Sequence, residues 1–78
     1  MKVLVLGLSG LIGSATFRVL SERSDWMVFG SIRSDNVRSF FPKVNAEKLI
    51  SNIDVNNFSS VIFVIEAIKP DVVINCFQ

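Results

Sequence analysis

Three glycines stand at even spacing near the start of the chain: Gly7, Gly10 and Gly13, in the stretch GLSGLIG. Glycine has no side chain, so a turn built from it can aim backbone N–H groups at a ligand that approaches closely. At a helix N-terminus such a turn also offers the positive end of the helix dipole, and the two together make a site for phosphate. On this reading Gly7 permits the tight turn, Gly10 the approach of a pyrophosphate, and Gly13 the close packing of helix on strand. The spacing G-x-x-G-x-x-G differs from the G-x-G-x-x-G of the commonest dinucleotide fingerprint. A strand-to-helix turn with no ligand is the alternative.

A second group of chemistry-bearing residues lies in SIRS, residues 31–34. In a dinucleotide site an acidic residue ~20 positions past the glycine turn accepts hydrogen bonds from a ribose 2′-hydroxyl, whereas arginine accommodates a 2′-phosphate. Here Arg33 stands where the acid would be, which favours NADP over NAD, with the hydroxyls of Ser31 or Ser34 assisting. The other reading of Arg33 is a solvated loop charge. Asp54 follows a third apolar run, at a sheet end where ligands bind in parallel folds. It equally suits an ordinary turn or cap before NNF.

Strands and helices in a definite order must position these groups. KVLVLG reads as a strand buried on both faces. A helix is expected over 11–21, with Ile12, Ala15, Thr16, Val19 and Leu20 at helical spacing and Arg18, Glu22 and Arg23 on its wet side or end. WMVFGSI is a second strand, residues 34–47 a loop or short irregular helix, and KLISNIDV a weaker third strand. In NNFSSVIFVIEAIKP the cap signals and terminal KP favour a helix that turns Phe58, Val61, Ile62, Ile65 and Ile68 inward, leaving Phe63 and Val64 to point elsewhere. DVVINCF closes the order as a fourth strand after Pro70. This alternation predicts an α/β fold, half of a doubly wound parallel sheet with strand order 3-2-1-4 and two main helices.

The totals narrow the function. Seventy-eight residues, half of them hydrophobic, suit a single small domain over 1–78. A chain of this length buries only roughly 60% of its unfolded surface. The net charge of +1 offers no footprint for nucleic acid or an anionic membrane, so neither partner is expected. Cys76 is the sole cysteine and histidine is absent, so no internal disulfide or usual zinc-ligand spacing can be written, and a reducing, cytoplasmic setting fits. The uncharged run from 3 to 17 is shorter than a membrane helix needs and reads as strand and turn rather than an anchor. With neither tyrosine nor histidine, the chain lacks the residues most used for proton transfer in dehydrogenases.

Three motifs in order, VLVLGLSGLIGSATFRVLSE, IDVNNF and KPDVVINC, resemble the N-terminal half of extended short-chain dehydrogenases/reductases. The likeness runs over nearly the whole chain and is greatest to sugar-nucleotide reductases of the dTDP-4-dehydrorhamnose reductase type and their epimerase relatives. It implies that Gly7, Ser9, Gly10, Leu11, Ile12 and Gly13 wrap the cofactor pyrophosphate and that Arg33 meets the adenosine 2′-phosphate. It also implies that Asp54 and Val55 lie beside the adenine, and that Asn75, Cys76 and Phe77 line the ribose side. The family places glycine where Gln78 stands, and its Tyr-x-x-x-Lys group has no counterpart in these residues. The expectation is therefore a catalytically silent, NADP-binding fragment whose nucleotide-sugar substrate would be met only in a longer protein. A non-catalytic regulatory or interaction module is the rival. Self-association is expected through the fourth strand as an apolar edge, or through the Phe63 and Val64 face.

Overall fold

The computed structural model describes residues 1–54 and 56–76. Strand β1 (Lys2–Leu6) leads into helix α1 (Leu11–Ser21) and strand β2 (Met27–Ser31). Two short 3-10 segments, Asp35–Phe40 and Ala46–Lys48, precede strand β3 (Leu49–Ile50), helix α2 (Phe58–Ile68) and strand β4 (Val72–Asn75). All pairings are parallel and the strand order is β3-β2-β1-β4. This is the half of a doubly wound sheet expected from the alternation of elements.

Strand β1 is the axis of the molecule because both of its faces are covered. Val3 and Val5 join Leu8, Phe17, Val28 and Phe41 in a core on the α1 side. Leu4 and Leu6 join Ile53 and Val64 on the α2 side. Alternate side chains of a strand point to opposite faces, so an unbroken apolar run suits a strand with a layer on each side. Phe17 and Phe41 meet edge to face, with ring centres 5.6 Å apart. The start of β1 is tied to the loop before β4: the Lys2 N–H donates to Asp71 Oδ2 at 2.8 Å, and the Asp71 N–H to the Lys2 carbonyl at 2.8 Å.

Both helices lie where expected but are turned differently about their axes. In α1 the buried residues are Gly13 and Phe17, while Ile12, Ala15 and Val19 face outward. In α2 Val64 is 0% exposed and Phe63 64%. Val61, Ile65 and Ile68 flank Val64 on the core, whereas Phe58 and Ile62 are exposed. The reason lies at the head of α2. Ser60 Oγ accepts from the Asp54 N–H at 3.1 Å and donates toward the carbonyls of Asp54 and Asn57 at 2.9 and 3.0 Å. That bonding turns Ser60 toward the sheet-end loop, and Val64, one helical repeat on, follows it inward. The expected cap is present, with Asn57 Oδ1 accepting from the Ser59 N–H at 3.1 Å.

Strand β3 is only two residues long, shorter than KLISNIDV suggested. Asn52 adopts φ 65°, a left-handed conformation that takes the chain out of the ladder. The Ile53 N–H then returns to the Ile32 carbonyl at 3.1 Å. Within 34–47 the expected irregular helix is the 3-10 segment after Ser34, braced by Arg38. This side chain bonds Asp35 at 2.8 Å and the carbonyls of Ala46 and Leu49 at 3.1 and 2.9 Å. The Arg38 guanidinium, then the Ser51 hydroxyl, hold the Asp35 carboxyl below the usual carboxylate range. Among the described residues no helix is long and apolar enough to cross a membrane; the uncharged run near the start is strand, turn and helix.

The orientation of α2 is open to a direct check. Val64→Ala is expected to lower the unfolding free energy by about 1–3 kcal/mol through lost burial and a residual cavity. Phe63→Ala should change it by less than about 0.5 kcal/mol. Urea titrations of both variants would refute the assignment if Phe63→Ala were the more damaging.

Candidate functional site

Parallel pairing brings the C-terminal ends of all four strands to one edge of the sheet, and the glycine turn emerges there from β1. Gly7 has φ 89°, where a side chain would be strained. Its N–H donates to Ser31 Oγ at 3.1 Å, and the Leu8 N–H donates to the Ser31 carbonyl at 3.1 Å. The buried Ser31 hydroxyl therefore holds the glycine turn against the end of β2. The same side chain lines a small cleft together with Arg33. Leu8 folds back across Gly30, where any Cβ would overlap the leucine side chain. Gly30 and the turn-holding role of Ser31 were missed from sequence. The available signal was a glycine inside a strand, which often marks a close approach.

The three spaced glycines have three different local environments. A Cβ at Gly13 would overlap the Gly7 carbonyl oxygen and come within 3.3 Å of Cys76 Cβ. At Gly10 the backbone is ordinary, with φ −87°, and an added Cβ would meet nothing within 4 Å. Gly10 is the N-cap of α1, yet no side chain caps this end and no acidic residue lies in the first turn. The N–H groups of Leu11, Ile12 and Gly13 have no acceptor within the helix, and the Leu11 and Ile12 side chains point to solvent.

Two clefts flank the turn. The larger, of about 330 Å³, is lined by Leu8, Ser9 and Gly10 of the turn, Leu11, Ser14 and Arg18 of α1, and Phe40 and Phe41. Arg18 is anchored there, donating to the Phe40 carbonyl at 2.9 Å with its guanidinium 4.7 Å from the centre of the Phe41 ring. The smaller, of about 100 Å³, is lined by Gly7, Ser9, Ser31, Arg33, Ile53, Asp54 and Asn56. Ser9 borders both.

In the smaller cleft Arg33 Nη2 lies 3.8 Å from Asp54 Oδ2, and the side chains are 72% and 42% exposed. Asp54 also builds the turn into α2: its Oδ1 accepts from the Asn56 N–H and its carbonyl from the Asn57 N–H, both at 2.9 Å. Asp54 thus forms the turn before α2 and also lines the cleft. The structure brings Gly7, Ser9, Arg33 and Asp54 together in this cleft and Ser9, Gly10 and Leu11 in the other. Ile12, Gly13, Ser34, Asn75 and Cys76 line neither. Ser34 precedes the 3-10 segment without a side-chain capping bond. Asn75 ends β4 opposite Leu6. Cys76 continues that pairing, its N–H donating to the Leu6 carbonyl at 3.0 Å, and packs against the α1-side core. Val55 and Phe77 lie outside the described residues. Among the described residues no cluster of three or more metal-ligating side chains occurs.

The sequence model of the NAD dependent epimerase/dehydratase family matches residues 3–78. No curated protein matches the chain.

The glycines should separate when substituted. Gly13→Ala drives a methyl into the Gly7 carbonyl and is expected to cost about 1–3 kcal/mol by overpacking. Gly10→Ala, with open space before it, should stay within about 0.5 kcal/mol of the wild-type chain. Thermal unfolding of the pair is the measurement; equal losses would contradict the geometry of the turn.

Proposed function

This chain belongs to the NAD dependent epimerase/dehydratase family, whose members are NAD(P)-dependent, and we propose that it binds NADP in preference to NAD. The observation that carries the reading is Gly10. Gly7 is required by its φ and Gly13 by packing, but neither reason applies to Gly10. Glycine is an ordinary N-cap residue, and here its bare Cα, with open space before it at a helix end no side chain caps, also admits the close approach of a ligand that accepts hydrogen bonds. The residues present fit a dinucleotide. The turn Gly7, Ser9 and Gly10 with the first N–H groups of Leu11, Ile12 and Gly13 would take the pyrophosphate. Arg33, with Ser34 beside it, would take the 2′-phosphate by charge-assisted hydrogen bonding. Asp54 and Val55 would border the adenine, and Asn75, Cys76 and Phe77 the ribose.

Bound NADP supplies hydride exchange with a carbonyl carbon. The chain's own residues bind and orient the adenosine and pyrophosphate half of the cofactor. With no tyrosine or histidine among its residues, it lacks the two groups most used in dehydrogenases to move the accompanying proton. We therefore read it as the cofactor-binding part of a reductase acting on a nucleotide-linked sugar, catalytically silent by itself.

Calorimetric titration with NADPH and NADH tests this. NADPH should bind more tightly, Arg33→Ala should remove the difference, and Gly10→Ala should weaken both ligands while leaving the fold intact. A well-folded chain that binds neither ligand would overturn the reading.

Self-association accompanies this proposal. Val72 and Val73 are exposed on β4, whose one partner among the described strands is β1. An edge with exposed, uncharged residues such as Val72 and Val73 is open to pairing with the strand of another copy. Sedimentation at tens of micromolar should reveal species heavier than the monomer, shifted toward monomer by Val73→Lys. A strictly monomeric wild-type chain would rule this out.

A further inference from the structure

Arg33 does not face its cleft alone. Asp54 Oδ2 lies 3.8 Å from Arg33 Nη2, beyond hydrogen-bond length. The carboxylate therefore contributes charge to the arginine without holding it in one orientation. Its other oxygen, Oδ1, is committed to the Asn56 N–H at 2.9 Å. The carboxylate is thus divided, with one oxygen building the turn into α2 and the other turned toward Arg33 in the cleft. Both side chains border the same space of about 100 Å³.

A 2′-phosphate docked on Arg33 would stand close to the Asp54 carboxylate. Two like-signed groups at such range repel, and the repulsion cancels part of what the guanidinium contributes. A ribose 2′-hydroxyl carries no charge to be opposed, and it can donate a hydrogen bond to Oδ2. We propose that Asp54 is a specificity-determining residue that opposes Arg33 and holds down the preference of this site for the 2′-phosphorylated dinucleotide. The proposal rests on the reading of Arg33 as the partner of the 2′-phosphate.

The test is the ratio of NAD to NADP dissociation constants, measured by calorimetry on the full chain at one ionic strength. Asp54→Asn removes the charge but keeps an oxygen to accept from the Asn56 N–H. Asp54→Ser keeps a hydroxyl acceptor there and serves should the first variant fold poorly. Each Asp54 variant should shift the ratio toward NADP by roughly three- to tenfold, the range of a partly screened charge. Arg33→Ala should shift it toward NAD. If Arg33→Ala does so while the Asp54 variants leave the ratio unchanged or lower it, the opposition of Asp54 is overturned and the role of Arg33 stands. If Arg33→Ala leaves the ratio unchanged, or neither cofactor binds, the reading of Arg33 fails and this proposal with it.

Discussion

The approach of Gly13 to the carbonyl of Gly7 sets where α1 lies, and the position of α1 organises the edge of the sheet. Without a Cβ at residue 13 the helix can sit directly over the end of β1. Phe17, one helical repeat later, then enters the core beside Phe41. The same approach brings Cys76 at the end of β4 against the helix and leaves the first N–H groups of α1 facing the space beyond the strands. A methyl group at this one position would push the helix away from both strands. The turn is held from its other side by β2, through the Ser31 hydroxyl and carbonyl.

The opposite face has a polar counterpart to this contact. Ser60 exchanges hydrogen bonds with Asp54 and so fixes how α2 meets the sheet. Asp54 belongs at once to the packing of α2 and to the cleft beside the glycine turn. Its carboxylate stands across from Arg33, so a group that shapes the fold also sets the local field. With a net charge of only +1 over the chain, the electrostatics of this cleft rest on such close pairs and not on a long-range field.

Much of the architecture was legible because it follows from local rules. A strand with four consecutive apolar residues, a glycine turn and an amphipathic segment form one β-to-α unit, and a proline after Lys69 ends the second helix. Parallel order follows from that alternation. The extent of β3 did not follow, because the left-handed conformation of Asn52 that ends it leaves only a weak trace in composition. Gly30 was visible as a glycine in a strand, but its partner Leu8 lies far from it in sequence.

By itself the sequence determined the elements, their order, the parallel sheet and the placement of Gly7, Gly10, Gly13 and Arg33 at its C-terminal edge. The tertiary structure alone decided which way each helix faces. In α2 eight of the eleven positions are apolar, so more than one face could be buried, and Ser60 fixes the choice from the loop. In α1 a stripe through Ile12, Ala15 and Val19 is present, yet the absence of a side chain at Gly13 prevails. The physical reason is common to both: steric overlap and hydrogen bonds act over tenths of an ångström, whereas hydrophobic burial is non-directional and accepts several rotations of a helix at similar free energy.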